Sequence, residues 1–262
     1  MMKVGWLREF WTYRELFFFL VWKDIKVRYK QTLLGASWAI IQPFFSMIVF
    51  TLFFGKLAAM PSEGIPYPVF AYAALVPWTY FSTALQFSGN SLITNSNLVS
   101  KVYFPRVALP ASPALAGLVD FAIASIVLAG IMLYYRIQPS WELLFWPLLA
   151  MPLALLVLGV GMILSALNVK YRDVKYAIPF AVQIWLFLTP IIYPTSIVPE
   201  RFRPLTALNP LTGLIEGFRA ALLPDRSIQW SSVAVSTATI LVVVVVGAAY
   251  FRKSEQEFAD VI

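Results

Sequence analysis

The chain has 262 residues, of which 60% are apolar and 13% are charged, whereas soluble domains average about 45–50% apolar and about 25% charged residues. A water-soluble globule of this size has too little interior to bury so many apolar side chains, so the composition predicts an integral membrane protein. The net charge is +7 and the chain has no histidine and no cysteine, which excludes imidazole metal sites, disulfides and catalysis by His or Cys.

Six hydrophobic segments are candidates for membrane-spanning helices. A hydrocarbon core of about 30 Å requires about 20 apolar residues in a helix. Five segments satisfy this requirement, while another, 176–194, is short and contains Pro179 and Pro190. We expect this span, the fifth in chain order, to be kinked at its prolines. The prediction is an all-α polytopic membrane protein with six transmembrane helices at 34–55, 69–89, 111–135, 143–167, 176–194 and 229–251.

The positive charges predict the orientation of these spans. Of the 20 Lys and Arg residues, 14 lie in the N-terminal segment 1–33, in the second and fourth connections or in the tail 252–262, and six lie in the other three connections. Because cytoplasmic connections carry an excess of Lys and Arg, we expect both termini to be cytoplasmic. The chain then divides into a cytoplasmic N-terminal segment, a six-span domain over 34–251 and a cytoplasmic tail.

The N-terminal segment contains a predicted amphipathic helix at the membrane interface. Trp22, Ile25 and Tyr29 form one apolar stripe, and charged residues occupy the remaining positions around the helix. Such a pattern is typical of a helix that lies in the cytoplasmic headgroup layer. The alternative is a basic flank whose only task is to set the topology. The basic side chains of this helix are those of Lys23, Lys26, Arg28 and Lys30.

The second connection predicts a short cytoplasmic helix. Leu92, Val99 and Tyr103 share a helical stripe, and Phe104 precedes Pro105, so the helix should end there. We expect this helix to end in an exposed Tyr-Phe-Pro-Arg knob that docks into another protein. The alternative is a plain connection between two spans.

The fifth connection, 195–228, is too apolar for an ordinary loop, yet four prolines interrupt it. Asn209 and Pro210 form a strong helix start, with Asn as the N-cap and Pro at the first helical position. Glu216 and Arg219 lie near each other on that helix. We expect a re-entrant helical pair, because broken backbone at membrane depth is tolerated where protein or a water-filled cavity surrounds it; the alternative is an amphipathic helix on the outer surface. The predicted apolar face consists of Leu211, Leu214, Ile215, Phe218 and Leu222.

The sequence contains none of the common catalytic motifs. It has no G-x-x-x-x-G-K-[ST] motif for ATP, no G-x-S-x-G and no pair of carboxylates within a span. Asp120 is the one ionisable residue deep in a predicted span, and an intramembrane carboxylate is a functional candidate. Because no predicted span holds a basic partner for it, Asp120 suits a proton relay poorly, and we favour a structural, hydrogen-bonded role.

Aromatic residues are abundant, with 9 Trp, 12 Tyr and 21 Phe. Many belong to the belts at the membrane interfaces, but several lie in the middle of predicted spans. Aromatic faces suit the CH-rich faces of sugar rings and offer a smooth surface that does not trap charge. A pathway role competes with helix packing or lipid contact for each of them. The candidates are Trp38, Phe44, Phe45, Trp78, Tyr80, Trp185 and Phe187.

Small residues within the predicted spans favour a dimer. Gly159, Gly161, Ser165 and Gly247 are of a size that lets helix backbones approach each other closely. Six spans form an incomplete pathway without a partner face. We therefore expect the chain to be stable as a dimer.

Several stretches resemble the membrane subunit of type-2 ABC exporters, in the branch that moves O-antigen, capsular and teichoic-acid polysaccharides. The resemblance extends from about residue 14 to the last span and depends on the order and spacing of the motifs. They are KVRYK at 26–30 followed by Leu33-Leu34-Gly35, Trp38 and Gln42-Pro43, KVYFPR at 101–106, YRDV at 171–174, LTPIIYP at 188–194, and Asn209-Pro210-Leu211 with Glu216 and Arg219.

The resemblance implies a homodimer in the bacterial inner membrane, in which each protomer binds a separate ATPase subunit that holds the ATP and Mg²⁺. The chain itself would then be no enzyme, would bind no cofactor and would have no nucleic-acid partner. Its cargo would be a glycan on an undecaprenyl-diphosphate anchor. The alternatives are a type-2 ABC permease for a lipid, a drug or haem, and an ATP-independent flippase of lipid-linked glycans.

The resemblance also implies roles for individual residues. The basic residues at 23, 26, 28 and 30 lie where an anionic pyrophosphate would arrive. The re-entrant pair matches outer gate helices, with gate residues Asn209, Pro210, Leu214, Glu216, Phe218 and Arg219. The segment that matches the coupling helix, which seats in a groove of the ATPase, contains Leu98, Val99, Lys101, Val102, Tyr103, Phe104, Pro105 and Arg106.

Overall fold

The computed structural model describes residues 12–30, 35–223, 226–256 and 258, so both ends of the predicted segment 1–33, the first residue of the predicted span 34–55, and residues 257 and 259–262 of the predicted tail lie outside the described residues. Within the described residues the regular secondary structure is helical, which confirms the all-α class. Short 3₁₀ turns lie at Gly35–Ser37, Trp141–Phe145, Thr195–Ile197 and Glu200–Phe202. The longer helices are α1 (Arg14–Lys30), α2 (Trp38–Phe50, continued by a π-helical turn Thr51–Leu57), α3 (Tyr67–Thr94), α4 (Ser96–Lys101), α5 (Ala108–Tyr134), α6 (Trp146–Lys170), α7 (Val174–Leu188), α8 (Arg203–Leu208), α9 (Pro210–Ala220) and α10 (Trp230–Glu255).

Helix α3 is the central helix of the bundle. It packs against α2, α5, α6, α7 and α9, and most of its residues are buried. Some of its buried polar groups are hydrogen-bonded: Ser88 Oγ donates to the Pro110 carbonyl at 2.8 Å, and Asn168 Nδ2 of α6 donates to the Gly89 carbonyl at 3.1 Å. These bonds offset the cost of burying polar groups among apolar helices.

Contacts at the two ends of the bundle show the direction in which α3 runs. At one end, Arg106, which follows α4, donates to the carbonyl of Glu255 at the close of α10. At the opposite end, the hydroxyl of Tyr67, which begins α3, donates at 2.7 Å to the carbonyl of Ile192, which follows α7. Helix α3 therefore runs from the end of the bundle where α7 closes to the end where α10 closes.

Within the described residues, four helical segments are long and apolar enough to cross a membrane by length and composition. They are Trp38–Leu57, Ala108–Tyr134, Trp141–Lys170 and Trp230–Glu255. The fifth predicted span corresponds to α7, an apolar helix of 15 residues, which is about 22 Å long at 1.5 Å per residue. The second predicted span corresponds to α3, which is longer but carries more polar residues. The chain is thus a polytopic membrane protein.

The predicted span 176–194 is wrong at its C-terminal end. Helix α7 stops at Leu188, and Thr189 adopts extended backbone with φ −101° and ψ 140°. The residue before a proline avoids the helical region, and Pro190 has no N–H to donate. Residues 189–194 consequently lie outside the helix.

The small residues that favoured a dimer make contacts within one chain instead. A Cβ atom on Gly247 of α10 would lie 2.4 Å from the carbonyl oxygen of Gly159 on α6, and one on Gly161 would lie 2.0 Å from Ser88 Oγ on α3. Ser165 is also fully buried. The prediction that these residues indicate a dimer is therefore wrong. They let α6 approach α3 and α10 closely within one chain.

Candidate functional site

Residues 95–107 form an elbow between α3 and α5. Helix α4 ends at Lys101, earlier than the predicted end at Phe104, and Val102 adopts extended backbone. Tyr103 follows it and is 86% exposed, so the elbow presents a large aromatic side chain that the chain itself does not cover. The eight elbow residues predicted for the coupling helix divide by exposure into exposed Lys101, Val102 and Tyr103, half-buried Leu98, Pro105 and Arg106, and buried Val99 and Phe104.

Phe104 and Arg106 anchor the elbow rather than project from it. Phe104 is 4% exposed. Arg106 Nη1 donates to the Glu255 carbonyl at 2.7 Å, and its guanidinium lies 5.9 Å from the ring centre of Phe258 in the tail. The predicted Tyr-Phe-Pro-Arg knob is therefore wrong at two residues, and Tyr103 is the aromatic residue available for docking. The cluster around Phe104 contains Leu20, Leu92, Val99, Val107, Ala108, Leu109, Met162, Ala166, Phe251 and Phe258.

Some of the charged residues of α1 bind partners in the bundle. Arg28 forms an ion pair with Asp120 of α5, the Tyr29 hydroxyl donates to the same carboxylate, and Asp24 accepts from the Ser112 hydroxyl. Asp120 is hydrogen-bonded as predicted, but α1 supplies the basic partner that the predicted spans lack. Burial, together with the hydrogen bond to the carboxylate, raises the pKa of Tyr29 above its ordinary value, so the phenol remains a donor. The sequence signal that α1 contacts the bundle is Asp24, an acidic residue within the basic run 23–30.

Several large apolar side chains of α1 face outward, although Leu20 is buried. Phe18, Phe19 and Val27 are 71%, 60% and 68% exposed, and Trp22 is 48% exposed. Of the predicted apolar stripe, Trp22 is exposed, whereas Ile25 and Tyr29 are half-buried. In a bilayer, apolar side chains are free to face lipid, while charges are stabilised by turning towards protein partners.

Two of the four basic residues predicted to meet a pyrophosphate are engaged inside the protein. Lys23 Nζ donates to Asn95 Oδ1 at the start of the elbow at 2.8 Å, and Arg28 is held by its ion pair. Lys26 and Lys30 are exposed. An anion that approaches α1 therefore meets these two first, while the bond from Lys23 links α1 to the elbow.

Helices α8 and α9 form a helical pair at the end of the bundle opposite the elbow. As predicted, Asn209 caps α9: its Oδ1 accepts from the Leu211 amide at 3.1 Å, and Pro210 lies in the first turn. The same oxygen accepts from the Trp185 indole of α7 at 3.0 Å. The predicted apolar face is confirmed, because each member is at most 2% exposed: Leu211, Leu214, Ile215, Phe218 and Leu222.

Arg219 of α9 is 1% exposed and binds the chain segment that follows α7. Its Nη1 and Nη2 donate to the carbonyls of Pro190 at 2.7 Å and Ile191 at 2.6 Å. Glu216 lies 3.2 Å from Nη1, which confirms the predicted proximity, and the ring centre of Phe70 lies 3.7 Å from the guanidinium. The planar guanidinium, with several donors in fixed directions, suits two adjacent carbonyls. No local sequence pattern indicates this second role.

The seven aromatic candidates for a pathway divide by exposure. Trp78 and Tyr80 are 5% and 3% exposed, and the Tyr80 hydroxyl donates to the Ala114 carbonyl at 2.8 Å. The pathway role predicted for these two is therefore corrected to packing within one chain. Trp185 is half-buried and bound to Asn209. The exposed candidates are Trp38, Phe44 and Phe45 on α2 and Phe187 on α7.

A family model described as ABC-2 type transporter matches residues 15–223, from α1 through the helical pair. The chain belongs to the ABC-2 type transporter family. This membership confirms the resemblance drawn from the order of the motifs. It also places the elbow, the docked α1 and the helical pair within the part of this transporter that the family model matches.

The transporter is similar to curated relatives over nearly its whole length. It is 29% identical to O-antigen export system permease protein RfbA of Myxococcus xanthus over 97% of this chain and 98% of that protein. It is 30% identical to RfbA of Klebsiella pneumoniae over 92% of each chain. Polysialic acid transport protein KpsM of Escherichia coli is 23% identical over 89% of this chain and 91% of KpsM.

Proposed function

We propose that this transporter is the permease subunit of an ATP-driven exporter that moves polysaccharide on an undecaprenyl-diphosphate anchor across the bacterial inner membrane. It works as a homodimer with two separate ATPase subunits, which hold the ATP and Mg²⁺. The observation that carries the proposal is the similarity to O-antigen export permeases over at least 92% of both chains. Similarity of that extent includes the elbow, α1 and the helical pair together.

The elbow supplies the contact with the ATPase in this proposal. Lys101, Val102 and Tyr103 are exposed, whereas Phe104 and Arg106 fix the base of the elbow to α10 and the tail. A displacement of the exposed residues is therefore delivered to a packed cluster rather than absorbed by a flexible loop. This arrangement supports transmission of ATP hydrolysis to several helices at once.

All six long helices cross the membrane in this proposal, and both termini are cytoplasmic. Helix α3 tolerates its polar residues because other helices enclose it. Helix α7 is short, but residues 189–194 continue its path, and Arg219 satisfies two of their carbonyls. The helical pair then re-enters from the outer side, while the elbow faces the cytoplasm.

Single cysteines test this topology, since the chain has none of its own. A membrane-impermeant thiol reagent added from outside should label Ser196→Cys and Ser227→Cys, which flank the helical pair, and should miss Ser254→Cys near the end of α10. Labelling of positions 196 and 227 from opposite sides would contradict a re-entrant pair.

Two helices with largely uncovered faces support the homodimer. The buried residues of α2 are Pro43 and Met47, and those of α7 are Ile178 and Val182. The exposed aromatic candidates lie on the same two helices. A second copy and lipid would share these faces, and cross-linking in membranes should yield dimers. Recovery of monomer alone at every reagent concentration would argue against the homodimer.

The outward side of α1 supports contact with a lipid-linked anion. Lys26 and Lys30 are exposed, and Trp22 and Val27 offer apolar surface beside them for an isoprenoid chain. Basic residues near an apolar helix face attract anionic headgroups at the interface. We therefore assign the pyrophosphate to this side of α1.

Deletion of the gene from the source bacterium tests the proposed function. Surface polysaccharide should disappear and lipid-linked glycan should accumulate inside the cell, because synthesis continues without export. The wild-type gene should restore the surface polysaccharide. Unchanged surface polysaccharide in the deletion strain would contradict the proposal.

A further inference from the structure

The tail packs against the elbow after α10 ends. Phe258 is 1% exposed, although residues 252–257 before it are all polar or charged. Its ring centre lies 5.3 Å from that of Phe251, seven residues earlier on α10. A spacing of seven places two side chains on one face of a helix. Both rings belong to the apolar cluster at the base of the elbow.

Two residues of the elbow bind this end of the chain. Phe104 is buried in the same apolar cluster as Phe251 and Phe258. Arg106 Nη1 donates to the Glu255 carbonyl at 2.7 Å, and its guanidinium lies 5.9 Å from the ring centre of Phe258. A cation is stabilised beside the last carbonyls of a helix and over the face of an aromatic ring. The elbow is thus joined to the tail by apolar, hydrogen-bonded and cation–π contacts.

The elbow is too short to hold its shape without such contacts. Helix α4 has six residues, whereas isolated helices shorter than about 12–15 residues are marginal in water. Val102 adopts extended backbone beyond it, and the 86% exposed side chain of Tyr103 is left uncovered by the chain. The arrangement of the exposed residues therefore depends on how the base of the elbow is packed.

We propose that Phe258 is a positioning residue for the ATPase: it fixes the base of the elbow, so that Lys101, Val102 and Tyr103 are held in the arrangement that the ATPase binds. Phe258 acts through the elbow, because its own side chain is enclosed. A loop that is ordered before its partner arrives binds more tightly, because the cost of ordering it does not oppose association. The inference rests on the proposed function and adds to it a tail residue that prepares the docking surface.

The main test measures binding of the purified ATPase subunit from the same bacterium to the full-length transporter in nanodiscs. Phe258→Ala should raise the Kd about 2–12-fold, which corresponds to the cost of ordering one side chain at an interface. Phe258→Leu keeps apolar bulk in the cluster and should restore most of the affinity. An unchanged Kd for Phe258→Ala would overturn the inference.

Phe81→Leu is the control for a general loss of stability. It truncates a fully buried ring in the middle of α3, away from the elbow. The variant should lower the midpoint of thermal unfolding and leave the Kd unchanged. A Kd that rises in Phe81→Leu as much as in Phe258→Ala would show that affinity follows overall stability, and the positioning role would be wrong.

Tyr103→Ala separates positioning from direct contact. If Phe258 acts through the exposed residues of the elbow, Phe258→Ala should raise the Kd by a smaller factor in the Tyr103→Ala background than in the wild type, because two variants that affect one contact are not additive. Independent factors that multiply in full would contradict the inference.

Hydrogen exchange of the transporter without the ATPase tests the structural step. The amides of Leu98, Val99 and Val102 donate to carbonyls within the elbow. Phe258→Ala should speed their exchange and leave exchange in α9, at the opposite end of the bundle, unchanged. Unchanged exchange at the elbow would refute the positioning role.

The outcomes distinguish this role from the proposed function. If the wild-type transporter binds the ATPase and Phe258→Ala binds it equally tightly, the positioning role fails and the exporter assignment stands. If the wild-type transporter does not bind the ATPase, the proposed two-subunit exporter fails, and the positioning role fails with it.

Discussion

Arg219 joins the helical pair to the chain segment after α7, and its replacement should show how far the fold depends on this contact. The guanidinium donates at 2.7 and 2.6 Å to the carbonyls of Pro190 and Ile191, two buried residues, and pairs with Glu216. Arg219→Met keeps an unbranched apolar stem and removes every donor. Two buried carbonyls and one carboxylate then lose their partner.

The loss in free energy of unfolding caused by Arg219→Met follows from the burial of the groups that lose their partner. Each buried polar group left without a partner costs about 1–3 kcal/mol, so the two carbonyls together cost about 2–6 kcal/mol. The carboxylate adds about 1 kcal/mol or less, because the Glu216 side chain is 21% exposed and reaches solvent. We expect the free energy of unfolding to fall by about 3–5 kcal/mol, the usual cost of breaking a buried ion pair.

Thermal unfolding of the purified full-length protein measures this loss. For a chain of this size 1 kcal/mol corresponds to about 2–4 °C, so the midpoint for Arg219→Met should fall by about 6–20 °C. The midpoint for Arg219→Lys should fall by less than that for Arg219→Met, because an ammonium group keeps a charged donor. It should still fall, because the ammonium group lacks the planar fork that reaches both carbonyls. Arg203→Met on α8 is the matched control, since the Arg203 side chain is 55% exposed, and it should shift the midpoint by less than about 2 °C.

A double variant separates the carbonyls from the ion pair. Glu216→Gln combined with Arg219→Met removes the unpaired carboxylate but leaves both carbonyls without donors. If the carbonyls dominate, the double variant unfolds within about 4 °C of the single variant. Recovery of most of the lost stability in the double variant, or a wild-type midpoint for Arg219→Met, would refute the reasoning.

Three further predictions concern the elbow, the contact of α1 with α5, and a glycine contact. Phe104→Ala should lower the free energy of unfolding by about 3–5 kcal/mol. Tyr103→Ala should change the free energy of unfolding by less than about 0.5 kcal/mol but abolish export. Equal effects of the two variants on unfolding would contradict the assignment of Phe104 as buried and Tyr103 as exposed. Asp120→Asn should cost about 1–3 kcal/mol and speed hydrogen exchange in α1, because the half-buried Arg28 loses its counter-charge; unchanged exchange would count against that contact. Gly161→Ala should cost about 1–3 kcal/mol, because its Cβ would lie 2.0 Å from Ser88 Oγ, and Ser88→Gly should relieve the clash; wild-type stability of the alanine variant would disprove it.

Local patterns in the sequence determined the membrane class, the approximate positions of the six long helices and the family. A run of apolar residues has the same hydropathy wherever it packs, so these features require no knowledge of neighbours. The start of α9 at Asn209 and Pro210, its buried face, and the proximity of Glu216 and Arg219 also followed from sequence. Capping and contacts between residues three apart are set within a single turn of helix.

Only the tertiary structure decided which side of each helix meets protein. In a bilayer, lipid-facing and buried positions are both apolar, so hydropathy does not distinguish them; this is why the burial of Trp78 was not predictable. The burial of Phe104 depends on α10 and the tail, which are more than 140 residues away in sequence. The end of α7 depends on the same kind of information. Its following carbonyls are satisfied by Arg219, 28 residues beyond Ile191, and a contact across that separation exists only once the helices have packed.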